Sequence, residues 1–310
     1  MQRIARLGRD CQRELRADLG IDDSLRHGYL QLFRTDADVE MNQPARAMLD
    51  EQGVRHRLLS AAEARALVPQ LAPATPLAAA LHLPDDDSAD CQRFCLALAE
   101  QAAAAGVRFH FETSIQSIRH DRGRVFGLVR ARKRIMEPNT VDADAVVVCA
   151  GVAAPALLRP LGIRVPIYPV KGYSATLDAD QSSDQSSDHS SGQSSGGMPS
   201  AGASRRPRLP SMAVMDETYK TALTPLDSRL RIAGTAEFGT ATLKLRESAL
   251  ATLRQVANDW FGPDIDFGGA RYWVGARPMT PDGPPLLGRT GIGGLFVNVG
   301  LGHHDEDLSI

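Results

Sequence analysis

No segment of this chain is apolar for long enough to cross a bilayer as a helix. The longest uncharged, mainly apolar run, residues 145–158, contains Gly151 and Pro155 and falls short of the ~20 residues a spanning helix needs. A secretory core is absent from the N-terminus, and the acids Asp10, Glu14 and Asp18 argue against a transit peptide. Four cysteines in 310 residues cannot form a disulfide scaffold, so a reducing, cytoplasmic setting is expected. The formal net charge is only −2, which gives nucleic acid or an anionic surface nothing to read in the total. The basic stretch 119–134 carries Phe126 as its one aromatic, where a nucleic-acid site would interleave several. Also missing is a complete phosphate-cradling loop. Gly291-Ile292-Gly293 and Gly300-Leu301-Gly302 both lack the third glycine of G-x-G-x-x-G, and Gly239 is followed by Thr240 rather than the Lys of a P-loop.

What remains is ordinary globular composition, 43% hydrophobic and 23% charged, with length for one large domain or two. Arg outnumbers Lys by 31 to 4, a codon-usage signature. Periodicity predicts a first helix over 1–20, with Ile4, Leu7, Cys11, Leu15 and Leu19 on one stripe. Further helices are expected over 39–52, closed by Gly53, over 61–67, over 91–105 with Asp90 as N-cap, and over 245–260. Strands are expected over 29–33, 107–111, 114–118 and 125–131, with another opening at Val141. Residues 83–88 read as a polar turn. The β-branched run 144–151 reads as a buried strand covered on both faces, as in a parallel sheet. Between 166 and 238 the rhythm is short strands with turns, at 170–177, 213–215, 218–224 and 230–233, and is antiparallel in character. A last strand spans 295–299. The tandem Gln-Ser-Ser-Asp repeat over 181–196, within a polar segment 180–210, cannot bury enough apolar surface to offset the entropy of ordering, and reads as a disordered loop insertion.

Cys91 and Cys95 are one helical turn apart, but no second pair has zinc spacing. His303, His304, Asp305, Glu306 and Asp307 fall in a terminal tail, so no metal site is expected. The densest motif is Tyr272-Trp273-Val274-Gly275-Ala276-Arg277-Pro278-Met279-Thr280-Pro281-Asp282-Gly283. It is a rigid Pro- and Gly-rich loop with one Arg at its entry, suited to a structural role or to clamping a carboxylate.

That segment resembles the Gly-x-Arg-Pro-x-Thr-Pro-Asp-Gly motif of the FAD-dependent D-amino-acid oxidase and glycine oxidase superfamily. Gly28 to Thr35, Leu83 to Asp86, Asp90-Cys91-Gln92, Tyr168-Pro169-Val170-Lys171-Gly172-Tyr173-Ser174 and Asp216 to Lys220 resemble, in order, the small subunit of the bacterial D-amino-acid dehydrogenase family. The resemblance implies an α/β (α+β) fold. A partial Rossmann-like FAD/NAD(P)-binding domain would be joined to an antiparallel substrate domain, without the N-terminal G-x-G-x-x-G unit. The divisions expected are 1–82 (helical and substrate-domain segment), 83–158 (partial FAD domain), 159–272 (substrate domain) and 273–310 (return to the FAD domain). It also implies that the chain is truncated at both ends, with Leu301 standing where the family has His. Arg277 and Tyr219 would bind the substrate. Ile115, Ala150, Gly151, Gly300 and Gly302 would meet FAD. No side chain need act as acid or base, since the hard chemistry belongs to the cofactor. The implied reaction is oxidation of a D-amino acid such as D-alanine to a 2-oxo acid and ammonia. Electrons would pass to a respiratory acceptor, with peripheral association at the inner membrane. A non-catalytic or complementing chain, and a relative acting on glycine, sarcosine or proline, are the alternatives.

A parallel strand at 146–149 without its neighbours would have a free edge and an open face. The purified chain should therefore self-associate in light scattering; a monodisperse, cooperatively melting protein would contradict this.

Overall fold

The structure is a computed structural model and describes residues 2–132, 135–179, 206–239, 242–263 and 265–302. Helix α1 (Gln2–Leu19) stops before Gly20, whose φ is +63°. Its expected apolar stripe is not buried: Leu7 and Cys11 are exposed, and Leu15 and Leu19 are half-covered. Strand β1 (Arg26–Phe33) leads into α2 (Asp36–Met41) and α3 (Gln43–Glu51), where one continuous helix was expected. Pro44 explains the break. It lies in the first turn of α3 and lacks the N–H that would continue the ladder from α2. Thr35 and Asp38 form a reciprocal capping box on α2. Ser60 and Glu63 form another, between β2 (Arg57–Ser60) and α4 (Ala61–Leu67).

Residues 83–88, expected as a turn, belong instead to the ten-residue strand β3 (Ala79–Ser88). Its register against β1 slips between His27↔Asp87 and Tyr29↔Leu83, opposite Gly28 with φ +89°. The local signal was misleading because the bulge absorbs the Pro-Asp-Asp run without ending the ladder. Asp90 caps α5 (Cys91–Ala104) as expected, accepting a hydrogen bond from the Arg93 amide. The expected strand at 107–111 does not form. Val107, Phe109 and Phe111 alternate correctly, but no described strand pairs with them and all three side chains are exposed.

The three strands β4 (Thr113–Asp121), β5 (Arg124–Arg132) and β6 (Ile135–Asp142) make a small antiparallel sheet. Val141 therefore lies near the end of a strand rather than opening one. Of the 144–151 run, only β7 (Val146–Val148) forms a ladder. Among the described residues it is covered on one face, since Val147 is 59% exposed. After α6 (Ala154–Leu158) come β8 (Tyr168–Asp178), β9 (Ala213–Asp216), β10 (Thr221–Leu226) and β11 (Arg229–Glu237). Strand β10 starts at Thr221, not at Thr218, because the Asp216 carboxylate takes the Tyr219 amide and turns the chain. The Ser-rich tandem lies outside the described residues. Residues 206–210, expected to be disordered with it, are ordered: Leu209 is buried in the main core. Helix α7 (Glu247–Phe261) and strands β12 (Arg271–Met279), β13 (Leu286–Arg289) and β14 (Leu295–Val299) complete the chain.

The sheets bear out the expected mixed architecture. An eight-stranded sheet runs β12-β8-β11-β10-β9-β1-β3-β2, antiparallel apart from the β1/β9 pair. It extends through Ser88 and to Met279. A second sheet, β13-β14-β7, pairs β14 with β7 in parallel. The large core lies where α7 packs on the eight-stranded sheet, with Leu253, Val256, Ala257 and Trp260 fully buried against Leu30, Leu32, Val214, Leu223 and Ile232. Each such aliphatic side chain contributes ~1.5–3 kcal/mol by burial.

One polar group is locked into this core. Asp216 is fully buried and accepts from Arg34 Nε at 2.7 Å, Trp260 Nε1 at 2.6 Å and the Tyr219 amide at 3.0 Å. Arg34 also binds Asp259 at 2.7 Å, a carboxylate 30% exposed. Removing Asp216 strands the Trp260 indole N–H and leaves Arg34 with Asp259 as its one carboxylate. Asp216→Ala should therefore cost about 3 kcal/mol in urea unfolding, whereas Asp259→Ala should cost less than about 1 kcal/mol.

Candidate functional site

Side chains alternate across a strand, so the eight-stranded sheet has two faces. Leu30, Leu32, Val214, Leu223, Leu230 and Ile232 point to α7. The residues between them on the same strands, Tyr29, Gln31, Met215, Ala222, Arg231 and Ala233, line a cavity of about 880 Å³. Strands β8 and β12 extend its floor with Gly172, Ser174, Trp273, Gly275 and Arg277. Ala45, Met48 and Leu49 of α3, with Val54, Leu81 and Leu83, form an apolar wall.

Arg277 is half-buried at the β8/β12 end of this floor. Strand β12 places it by register: Gly275 pairs with Gly172 and Arg277 with Val170. Its guanidinium lies directly on Gly172, where a methyl group would stand 3.0 Å from Cζ. No hydrogen bond or ion pair joins Arg277 to another described residue. Arg231, on the same floor, is likewise without an ion pair among the described residues, and its buried Nε has no hydrogen-bond partner there. Glu217 binds Lys220 and accepts from Gln31. Arg231 has its pKa pulled down by burial, which attraction to Asp90 only partly offsets.

Behind the floor, Lys171 is 1% exposed. It pairs with Glu237 at 2.7 Å and donates to the Thr242 carbonyl at 3.2 Å. Hydrogen bonds from Lys171 and Tyr173 hold the Glu237 carboxyl below its ordinary pKa. This pair clamps β11 across a register shift between Gly234 and Glu237, where Thr235 adopts φ +63°. Such a conformation is strained for a β-branched residue and marks a built feature.

The sequence-derived residues separate into groups. Gly151, Gly300 and Gly302 gather around the corner that follows Arg277. Methyl groups on them would stand 3.9 Å from Pro278 Cγ, 2.6 Å from Thr280 Cγ2 and 2.8 Å from Met279 sulfur, respectively. Ala150 precedes Gly151 at the end of β7, half-buried. Tyr219 lies elsewhere: it packs against the α7 core, accepts a hydrogen bond from Gln255 at 3.0 Å and does not line the cavity. Ile115 is on β4, outside both groups. Residues 303–307 lie outside the described residues. Among the described ones, no three His, Cys, Asp or Glu side chains converge as metal ligands, and the Cys91 and Cys95 sulfurs stand 3.8 Å apart. Gly172 and Trp273 stand in the sequence motifs without an assigned role, and the structure puts both on the cavity floor. The available signal was small residues at facing positions of two strands, Gly172 and Gly275, beside an Arg.

Comparison with known proteins bears on this site. A family model described as FAD dependent oxidoreductase matches residues 1–305. The D-amino acid dehydrogenase of Chromohalobacter salexigens is 39% identical over 97% of this chain and 66% of its own length. That of Bradyrhizobium diazoefficiens is 39% identical over 96% of this chain and 64% of its own. The chain thus spans just under two thirds of these relatives. Among solved structures, glycine oxidase from Geobacillus kaustophilus superposes with a TM-score of 0.74 at 26% identity, covering 98% of this chain and 73% of that one. The described residues fit the ring end of an FAD. Beyond the ends of the parallel strands β7 and β14, the usual ligand side of such a sheet, the chain turns at Gly151, φ +50°, and Gly300, φ +81°. None of them forms a cradle for the diphosphate.

The two floor glycines nearest the bulge should respond differently to a methyl group. At Gly172 it meets only the movable end of Arg277, so Gly172→Ala should cost under about 1 kcal/mol. At Gly234 it meets the Lys220 carbonyl at 2.9 Å and Thr221 Oγ1 at 2.6 Å, so Gly234→Ala should cost about 2 kcal/mol. Urea midpoints of the two variants check this.

Proposed function

The chain belongs to the FAD dependent oxidoreductase family, and on that premise we propose that it oxidises a D-amino acid, such as D-alanine, to its 2-oxo acid and ammonia. The observation that carries the reading is Arg277, a half-buried cation with no anionic partner among the described residues, facing a cavity of about 880 Å³.

Its planar guanidinium can take a carboxylate through two parallel hydrogen bonds, fixing orientation as well as charge. The Gly172 bed and the register of β12, whose ladder runs on through Pro278 to Met279, place that fork on the cavity floor. The apolar wall of Met48, Leu49, Leu81 and Leu83 receives the side chain and keeps water from the reacting carbon. FAD, when bound, supplies the hydride acceptor for the substrate Cα–H. Ile115, Ala150, Gly151, Gly300 and Gly302 are the residues assigned to hold it. The amino acid leaves as its imine, which water converts to the oxo acid and ammonia. No described side chain is needed as acid or base. Tyr219, which packs on the α7 side and does not line the cavity, takes no substrate contact in this reading.

In this reading 1–82 and 159–272, with the sheet residues 83–88 and 273–279, build the substrate domain, and 89–158 with 280–310 build the FAD domain. Electrons pass onward to a respiratory acceptor, and the protein works from the cytoplasmic side at the inner membrane. No described helix is long and apolar enough to cross it.

The test is turnover by the purified chain supplied with FAD, D-alanine and an artificial electron acceptor, read as pyruvate and ammonia. Arg277→Met should lower kcat/KM at least about 30-fold, mostly through KM, as the loss of ~2 kcal/mol of charge-assisted bonding requires. A preference for sarcosine or L-proline over every D-amino acid would overturn the substrate assignment. Absence of both turnover and D-amino-acid binding would favour a non-catalytic chain.

A further inference from the structure

Trp273 has no role in the site as described, yet it is the large aromatic side chain on the cavity floor with open surface, 52% exposed. Its indole does not stand away from the sheet. It folds along β12 over Gly275, so closely that a methyl group on residue 275 would lie 1.9 Å from its Cη2. Gly275 is the register partner of Gly172, on which the Arg277 guanidinium rests. Facing residues on paired strands are about 5 Å apart at Cα. The indole and the guanidinium are therefore neighbours on one floor, made flat by two glycines. Arg231 approaches the same ring, its Cζ 5.9 Å from the centroid, a loose contact that leaves the indole accessible.

We infer that Trp273 is the specificity-determining residue of the site and selects D-amino acids with aromatic side chains. The inference rests on the proposed function. A carboxylate held by Arg277 fixes the substrate Cα beside the indole, and a ring attached through one methylene then reaches it. The ring stacks on Trp273 and meets Met48, Leu49, Leu81 and Leu83 on the opposite wall. A methyl side chain such as that of D-alanine reaches neither surface well.

The experiment is equilibrium binding of D-phenylalanine and D-alanine to the purified chain, by calorimetry and by quenching of tryptophan fluorescence. The only other tryptophan, Trp260, is fully buried, so quenching reports on Trp273. D-Phenylalanine should bind about tenfold more tightly than D-alanine, with saturable quenching. The ratio should fall to about one in Trp273→Ala and persist in Trp273→Phe, which keeps a stacking face. D-Phenylalanine binding no more tightly than D-alanine, or an unchanged ratio in Trp273→Ala, would overturn the inference while leaving the proposed function standing. Binding of neither ligand, or binding indifferent to Arg277→Met, would remove the proposed function and this inference together.

Discussion

The buried carboxylate of Asp216 is the constraint on which the rest of the molecule turns. A fully buried carboxylate is unfavourable unless its charge and its lone pairs are met. Here they are met by Arg34 from the end of β1, Trp260 from α7 and the backbone of the turn before β10. The Arg34 guanidinium is also flanked by the rings of Tyr219, at 4.9 Å, and Trp260, at 5.2 Å. Three segments distant in sequence, the end of β1, the β9–β10 turn and α7, are thus fixed to one atom group. Among them is α7, whose placement decides which face of the eight-stranded sheet becomes core.

Once α7 covers one face, the period of two does the rest. Every second residue of β1, β9, β10, β11, β8 and β12 is turned to the other side, where α3 stands off and leaves a cavity. The floor of that cavity is low because Gly172, Gly234 and Gly275 carry no side chains. Its shape near Arg277 depends on the bulge at Thr235, and the bulge depends on the buried Lys171–Glu237 pair behind it. Glu237 has its carboxyl held below the ordinary range by hydrogen bonds from Lys171 and then Tyr173, so the clamp is complete at neutral pH.

Elements with a purely local cause were legible in the sequence. The Asp90 cap, the helix at 61–67 and the strand at 295–299 follow from side chain, spacing and turn chemistry within a few residues. The misreadings share one physical reason, dependence on a distant partner. The 83–88 strand exists because its own bulge opposite Gly28 keeps it on the β1 ladder; the 107–111 segment is not a strand because no described partner completes its ladder. Leu209 is ordered because the main core takes it, despite the polar neighbourhood that argued otherwise. Arg277 could be read from its motif. The Gly172 bed and the Trp273 indole beside it could not, because register between β8 and β12 is a tertiary fact. The same holds for Tyr219, whose packing against α7 is set by Asp216.

The meaning of Arg277 rests on how the other covered arginines are treated. Arg34 is held by two aspartates. Arg16 is held by Asp23, Arg229 by Asp90, and Arg93 by Asp22 and Asp227. These guanidinium groups enter the junctions between elements with a carboxylate beside them, as desolvation favours, whereas Arg231, on the cavity floor, has no ion pair among the described residues and a buried Nε without a hydrogen-bond partner. Arg277 shares that lack of a carboxylate, at a position that the β12 register and the Gly172 bed set on the same floor. Two cations without an ion pair to a described residue, on one cavity floor, leave a place there for an anion from outside.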